Sequence, residues 1–234
     1  MVKAIRFVFQ GIGVSIRDLF FPPQCLHCKR ILQIDPQNFL CNHCSQNIHP
    51  FPKDIVQTQI LKRINPAYLD NIFIAFQFND VVQTVIHNIK YNKMPDLGTK
   101  IGEMAAAQLQ KHFDITEEKG FLPVPLHVTR QKERDYNQST SIGKGLVKII
   151  GGKLYENILF RRKYTISQTT LNREDRISNV RDAFSMGFTS IKLPNSIYLI
   201  DDLITTGATM NECARVLKNN GVTSVMGIAV ASPL

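Results

Sequence analysis

The sequence predicts an α/β protein built on a parallel sheet, preceded by a small module that contains cysteines. From about residue 53 onward, apolar runs of strand length alternate with stretches whose apolar residues recur at helical spacing. The clearest run, residues 197–200 (IYLI), is continuously apolar, as expected for a parallel strand covered on both faces. Pro50 and Pro52 close the cysteine module. We therefore predict an N-terminal module over residues 1–52 and an α/β domain over residues 53–234.

Composition limits the class of protein. The 234 residues are 44% hydrophobic, enough for one substantial core, and no uncharged apolar stretch approaches the length that spans a bilayer. We therefore expect a soluble, cytoplasmic protein. With 28 Lys and Arg against 19 Asp and Glu, the net charge of +9 predicts attraction to polyanions or to a heavily phosphorylated substrate.

The first 23 residues resemble a signal peptide only superficially. Arg6, Arg17 and Asp18 interrupt the apolar part, and no A-x-A-like cleavage site follows. The apolar residues recur near helical spacing, which predicts a docking helix. Peripheral contact with a membrane is the alternative interpretation.

Two C-x-x-C pairs predict a structural zinc site. Cys25 and Cys28 form the first pair, Cys41 and Cys44 the second, and four thiolates in two such turns can close a tetrahedral site. A redox pair of the thioredoxin type has no use for the second pair, and two disulfides need an oxidising compartment that nothing in the sequence supports. Cys213 is predicted to be a buried free thiol.

The elements of the α/β domain follow in order. Residues 54–64 are predicted to form a short helix and residues 71–78 a strand. Residues 80–91 are predicted to form a helix that carries Lys90 and Tyr91 at its end, and a longer helix follows over residues 95–113. Residues 121–126 (FLPVPL) are predicted to form a strand whose prolines place it near a sheet edge or at a strand end.

Two polar segments are candidates for ligand binding. Residues 126–138 carry Arg130, Lys132 and Arg134 just after a predicted strand, and ligands of open α/β sheets bind at the carboxyl ends of strands. Such cations would suit a pyrophosphate. Residues 161–184 are basic and long enough to form a mobile lid, with an ordinary exposed loop as the alternative.

The strand at residues 197–200 is predicted to end in two acids, Asp201 and Asp202, and to lead into a helix. Free backbone N–H groups and the positive dipole end collect at a helix N-terminus and suit a phosphate, while the carboxylates can accept hydrogen bonds from vicinal hydroxyls. A nucleotide triphosphatase strand is the alternative, but no G-x-x-x-x-G-K-[ST] occurs. The predicted phosphate loop comprises Thr205, Thr206, Gly207, Ala208 and Thr209.

This segment, D-D-x-x-T-T-G-x-T, resembles the phosphoribosyl-pyrophosphate (PRPP) motif of type I phosphoribosyltransferases. The chain as a whole resembles the ComF family, a phosphoribosyltransferase-like group linked to natural transformation. The shared motifs are the cysteine knuckle, I-K-Y at residues 89–91, P-x-P-L at 123–126, R-x-x-x-R-x-[FY]-N-Q at 130–138, and the polar segment at 161–184. Asp135 stands where the family usually has glycine.

The resemblance implies a type I phosphoribosyltransferase-like fold and a pocket for PRPP. It implies that Asp201 and Asp202 hold the ribose hydroxyls, that residues 205–209 bind the 5-phosphate, and that Mg²⁺ neutralises the pyrophosphate. The candidates for binding the pyrophosphate are Lys90, Arg130 and Arg134, and those for the lid are Gln168 and Arg176.

Three functions remain open at this point. The resemblance favours a PRPP-binding protein that handles single-stranded DNA during transformation, alongside other DNA-uptake proteins, with or without phosphoribosyl transfer. A metabolic phosphoribosyltransferase acting on a nucleobase or a small amine is the alternative. It predicts a hood with base-stacking aromatics, whereas Phe184, Phe188 and Tyr198 are better explained as core. A pure DNA-binding adaptor with a vestigial pocket is disfavoured by the intact motif.

Overall fold

The computed structural model describes residues 22–32, 39–52, 60–62, 64–113, 120–163, 180–188 and 191–233. The chain divides into two compact units, Met1–Asn47 and Ile48–Leu234. The predicted N-terminal docking helix lies outside the described residues. Among the helices within these ranges, none is long and apolar enough to cross a membrane.

The first unit is small and held together by turns around its cysteines. Gln24 forms an isolated antiparallel bridge with Ile31, and the amide of Cys25 donates to the carbonyl of Arg30 at 2.8 Å. The amide of Leu26 donates to the carbonyl of Phe39 at 2.9 Å. Helix α1, Asn42–Gln46, follows directly after Cys41 and carries the buried Cys44.

The second unit is an α/β domain. Its strands are β1 (Asn71–Gln77), β2 (Gly120–Pro123), β3 (Lys153–Leu154), β4 (Leu159–Arg161), β5 (Phe184–Met186), β6 (Ser196–Leu203) and β7 (Ser224–Ser232). Its helices are α2 (Asp80–Tyr91), α3 (Pro95–Gln110), α4 (Val128–Arg134), α5 (Gln138–Ile150) and α6 (Ala208–Asn219).

Five of these strands form one parallel sheet in the order β1-β7-β6-β2-β3. This confirms the predicted parallel α/β sheet flanked by helices. Strand β6 lies at the centre, and its residues from Ile197 to Ile200 are buried, because side chains pack on both faces of a parallel sheet. Leu199 packs in one core with Cys213 and Ala214 of α6, and Cys213 is the buried free thiol that the sequence predicts.

Several predicted boundaries need correction. Strand β2 lies inside the sheet, between β6 and β3, and stops at Pro123 rather than continuing to residue 126. Proline is tolerated there because it is the last residue of the strand, and the next ladder bond is donated by Val124 to Ile200. Helix α3 ends at Gln110, three residues before the predicted end. Of the helix predicted over residues 54–64, residues 60–62 are helical, and residues 54–59 and 63 lie outside the described residues.

Strands β4 and β5 form a separate antiparallel hairpin, the β4–β5 hairpin, which is not part of the main sheet. Phe160 pairs with Ser185, and Arg161 pairs with Phe184. Residues 164–179, which connect the two strands and contain the predicted lid residues Gln168 and Arg176, lie outside the described residues.

Candidate functional site

The two acids lie within the last residues of β6. The sequence predicts that the strand ends in these two acids, and β6 extends one residue beyond them to Leu203, because ladder bonding to β7 persists to the pair Leu203 and Ala231. Consecutive side chains of a strand point to opposite faces. Asp201 and Asp202 therefore have different surroundings, although they are adjacent in the chain.

Asp202 is paired with the lysine at the end of α2. The Nζ of Lys90 lies 2.9 Å from Oδ2 of Asp202, and the side chains are 19% and 6% exposed. Helix α2 is amphipathic and capped by Asn79, whose side chain accepts from the amide of Val82. Lys90 lies at the end of this helix, as the sequence predicts, and the structure adds that its charge is directed at Asp202.

Asp201 accepts two hydrogen bonds at Oδ1. Ser139, in the first turn of α5, donates its hydroxyl at 3.1 Å, and the amide of Asp202 donates at 2.9 Å. Burial and the negative charge of Asp202 together raise the pKa of Asp201 to about 7, although Lys90 and the hydrogen bonds from Asp202 and Ser139 act in the opposite direction. Asp201 still keeps part of its surface open to solvent. It is thus an accessible acceptor whose charge changes near neutral pH.

The predicted phosphate loop leads into α6. Residues 205–207 form the turn, and α6 begins at Ala208, with Gly207 as its N-cap at φ +76°. No side-chain hydrogen bond from the described residues caps this helix, and the closest substitute is a long contact of 3.4 Å from the amide of Ala208 to the hydroxyl of Thr206. The N-terminus of α6 lies beside the acid pair, and a helix N-terminus favours an anion.

Gly207 is required here by space as well as by backbone conformation. A Cβ at this position would lie 2.7 Å from Cδ1 of Ile64 and 2.9 Å from Cγ2 of Ile60. A left-handed φ already disfavours any other residue type. The turn therefore approaches the segment before β1 so closely that only glycine fits.

The predicted pyrophosphate-binding arginines lie on α4, which follows β2. Arg134 is 9% exposed, donates to Oε1 of Gln138 at 2.9 Å and lies over the ring of Tyr91 at 5.4 Å. Its guanidinium is therefore occupied with protein partners in this structure. Arg130, one turn earlier, is half-buried. Binding of pyrophosphate by Lys90, Arg130 or Arg134 stays a prediction.

The residues after Arg134 have structural roles that the motif alone does not disclose. Asp135 has a left-handed backbone at φ +64° and forms an ion pair with Lys93. The hydroxyl of Tyr136 donates to the carbonyl of Ile89 at the end of α2. Asn137 caps α5 by accepting from the amide of Ser139, and its amide group donates to the carbonyl of Val124 at 2.9 Å. This segment fixes α2, β2 and α5 around the acid pair.

The sequence does not identify the roles of two residues near the site. Ser139 follows the N-Q pair without any distinguishing pattern, and its contact with Asp201 depends on the pairing of β2 with β6. Arg161 stands out in the sequence only as part of a basic, polar segment. Burial lowers the pKa of Arg161, and the charge of Asp201 acts on it in the opposite direction. Arg161 thus brings the β4–β5 hairpin within electrostatic reach of the site.

A cavity of about 470 Å³ lies beside the loop that follows β2. Its wall includes the loop after Pro123, the N-terminal half of α5, and the hairpin residues Phe160, Arg161 and Arg162. His127 of this loop forms a parallel bridge with Arg161. The cavity is mixed in polarity and connects the β2 loop to the hairpin.

The four cysteines of the first unit form one cluster. Their Sγ atoms all lie within 4.8 Å of one another, and those of Cys28 and Cys41 are 3.6 Å apart. Four sulfurs about 2.3 Å from a tetrahedral zinc are about 3.8 Å from each other, so the cluster could hold a zinc ion. Burial raises the pKa of Cys25, but backbone hydrogen bonds from Cys41 and Cys28 outweigh it and lower the pKa to about 6, which favours the thiolate.

Comparisons with known proteins find that the chain is similar to proteins named for competence and DNA utilization. It is 28% identical to Competence protein F of Haemophilus influenzae over 88% of this chain and 95% of that protein. It is 27% identical to Competence protein ComFC of Streptococcus pneumoniae over 64% of this chain and 63% of that protein. It is 23% identical to the DNA utilization protein YhgH of Escherichia coli K12 over 60% of this chain and 63% of that protein. No family model matches the chain.

The fold and the site together define an α/β protein with an acid pair and a threonine-glycine loop at the central strand, and with a four-cysteine cluster near the N-terminus. The similarity to Competence protein F covers almost the full length of both chains. These similarities support the resemblance to the ComF family that the sequence predicts.

Proposed function

We propose that the chain binds PRPP at the carboxyl end of β6 and handles single-stranded DNA during natural transformation. The observation that carries the proposal is the conjunction of Asp201, Asp202 and the glycine turn that begins α6 at one edge of the sheet. The names of the relatives, competence protein and DNA utilization protein, support the process.

Each part of the site suits a part of PRPP. Residues 205–209 offer backbone N–H groups to the 5-phosphate, because a helix N-terminus favours an anion. Asp201, partly exposed, can accept hydrogen bonds from the ribose hydroxyls. Asp202 forms an ion pair with Lys90 at 2.9 Å and lies beside the proposed position of the ring. Pyrophosphate would then lie toward Lys90 and α4.

The chemistry open to such a site is displacement at C1 of the ribose. The bond from C1 to the pyrophosphate oxygen breaks and its electron pair leaves with the pyrophosphate, while a nitrogen nucleophile forms a bond to C1 and gives its proton to the departing pyrophosphate. Positive charge builds on the ribose ring, which the two carboxylates stabilise. Bound Mg²⁺ would supply charge neutralisation to the leaving group. A lid containing Gln168 and Arg176 would exclude water, which is a competing nucleophile.

The DNA part of the proposal is supported by charge. The net charge is +9, and basic residues cluster at Lys29 and Arg30 in the first unit and at residues 161–163 in the second. Phosphate contacts by such residues release counterions, so affinity for single strands should fall steeply with salt. Replacing Lys29, Arg30, Arg161, Arg162 and Lys163 with glutamine should weaken binding and flatten this dependence.

The zinc part of the proposal assigns a structural role to the cysteine cluster. A stretch with so little core needs a cross-link to stay folded, and metal binding can supply it. One zinc ion per chain is expected, held by Cys25, Cys28, Cys41 and Cys44.

One experiment tests the central claim. Calorimetry with PRPP and Mg²⁺ should give saturable binding to the parent protein and none to Asp201→Asn with Asp202→Asn. The unfolding transition of the variant confirms that it is folded. Equal affinity of parent and variant would show that the acids are not the site. Pyrophosphate release, measured with and without single-stranded DNA, then separates turnover from binding.

A metabolic phosphoribosyltransferase is the second candidate, and the cavity beside the β2 loop favours it. Its volume of about 470 Å³ exceeds that of a nucleobase, and Arg161 links its wall electrostatically to Asp201. Pyrophosphate release that requires a free nucleobase, together with negligible DNA binding at low salt, would establish this candidate instead.

A further inference from the structure

The sequence predicts that Phe184, Phe188 and Tyr198 are core residues, and the structure contradicts this for one of them. Phe184 and Tyr198 are buried, at 5% and 6% exposure, but Phe188 is fully exposed at the end of the β4–β5 hairpin. Phe160, on the other strand of the same hairpin, is 38% exposed. Two phenyl rings are therefore presented to solvent by one small element.

The ring of Phe160 is held in place by its neighbours. The guanidinium of Arg162 lies over it at 5.6 Å, and the Nε of Arg162 donates to the hydroxyl of Ser185 at 2.8 Å. A Cβ at Gly187 would lie 2.4 Å from Cε2 of Phe160, so the glycine leaves the space that the ring occupies. The phenyl ring of Phe160 and the guanidinium of Arg162 are therefore held next to each other.

The hairpin is also positively charged. Its described residues include four cations, Arg161, Arg162, Lys163 and Arg181, against one acid, Asp182. That acid is already paired with Arg215 of α6 at 2.9 Å. The positive charge around the two rings is therefore not compensated within the described part of the hairpin.

The hairpin is anchored to the rest of the domain. The amide of Asp182 donates to Oε1 of Glu212 at 2.8 Å, and Arg215 bonds to both of these acids. The amide of Arg162 donates to the carbonyl of Ala183 at 2.7 Å, which extends the pairing of the two strands. The β4–β5 hairpin is thus anchored to α6, the helix whose N-terminus forms the proposed phosphate site.

We propose that the β4–β5 hairpin is a stacking platform for single-stranded DNA. One base stacks on the Phe160–Arg162 pair, another on Phe188, and the intervening phosphates contact Arg162 and Lys163. This inference rests on the proposed function and adds the location and the mode of DNA binding. Aromatic rings combined with cations are the means by which proteins bind single strands without sequence preference.

The chain contains no tryptophan, so one substitution provides a direct reporter. Phe160→Trp keeps a stacking ring, and its fluorescence should be quenched when oligothymidine binds. Ile149→Trp is the matched control, because Ile149 is 43% exposed on α5 and belongs to a different element. Quenching of both tryptophans alike, or of neither while the oligonucleotide binds, would overturn the proposal.

Affinity measurements separate stacking from charge. Phe160→Ala with Phe188→Ala should weaken binding at least about 25-fold at every salt concentration with an unchanged salt slope, since each of the two stacked bases contributes roughly 5- to 150-fold. Arg162→Gln with Lys163→Gln should instead lower the slope by about 1.4, or roughly 0.7 for each phosphate contact. Lys111→Gln, an exposed lysine beyond the end of α3, should change neither quantity.

A base-free oligonucleotide gives the sharpest comparison. The parent should prefer a normal strand over an abasic strand of equal length, and the double alanine variant should lose this preference because both strands carry the same phosphates. A preference retained in that variant would place the stacking elsewhere. PRPP affinity, measured on the same variants, should be unchanged. Failure of the parent to bind any strand would refute the DNA part of the proposed function together with this inference, whereas unaltered binding by the hairpin variants would refute this inference alone.

Discussion

Lys90 lies 2.9 Å from Asp202 in a pair that is almost removed from solvent, and it joins the end of α2 to the central strand. Removing one partner leaves the other charge buried, which we expect to cost about 2–4 kcal/mol, somewhat less than for a fully enclosed pair because Lys90 is partly exposed. Lys90→Gln and Asp202→Asn should each destabilise the domain by this amount in urea unfolding.

The double variant separates stability from binding. Lys90→Gln with Asp202→Asn removes both charges, so it should recover most of the lost stability while PRPP binding stays weak. Stabilities that simply add would show that the pair is not coupled. Recovery of PRPP affinity in the double variant would show that neither charge contacts the ligand.

The raised pKa of Asp201 predicts a pH dependence of PRPP binding. Because burial raises this pKa to about 7, only the ionised form above that pH accepts both ribose hydroxyls, and affinity should increase between about pH 6 and pH 8. Calorimetry across this range tests it, and Asp201→Asn should show a flat and weak profile. An affinity that is constant in the parent would contradict the assignment.

The raised pKa of Asp201 also predicts that the stability of the folded state decreases as pH rises, whereas PRPP affinity increases. The folded state holds a proton on Asp201 at pH values where the unfolded chain, with a pKa of 3.8, has lost it. Stability contributed by this group therefore falls as pH rises from about 4 to about 7. Asp201→Asn should be more stable than the parent at pH 8, and this advantage should be smaller at pH 4.

The sequence predictions that succeeded depend on patterns within short, contiguous stretches of the chain. The strand of β6, the threonine-glycine turn and the start of α6 are contiguous, so the sequence was sufficient to predict them. The pairing of Lys90 with Asp202 depends on the packing of α2 against the sheet edge. The exposure of Phe188 depends on the hairpin's separation from the main sheet, which apolar composition does not encode.

The cysteine cluster predicts one zinc ion per chain. Cys41→Ser should lower the zinc content and expose the first unit to proteolysis, because four thiolates are needed to close the site. Metal analysis and limited proteolysis provide the measurements, and Cys213→Ser is the control, since its buried thiol lies outside the cluster. If the Cys41→Ser variant contains as much zinc as the parent, the four cysteines are not the zinc site.

Asp135 stands where the ComF family usually has glycine, and replacing it tests the effect of this difference. Its φ of +64° is a conformation that glycine adopts without strain, so Asp135→Gly should be tolerated, within about 1 kcal/mol of the parent. The substitution also removes an acid beside α4, and we expect tighter PRPP binding. Asp135→Asn separates the causes: an equal gain in affinity assigns the effect to charge, whereas a gain only with glycine assigns it to the backbone.

Gly207 and Gly221 form a matched pair of left-handed glycines at the two ends of α6. Gly221 has φ +92°, and a Cβ added there would have no atom within 4 Å, whereas a Cβ at Gly207 would meet Ile64 at 2.7 Å. Gly221→Ala should therefore cost only the conformational strain, about 1 kcal/mol. Gly207→Ala adds displacement of the turn that presents N–H groups to the phosphate, so PRPP binding should be lost as well as stability. Calorimetry and thermal unfolding on both variants decide this. Equal PRPP affinity in the two variants would show that the turn at Gly207 does not form the phosphate site.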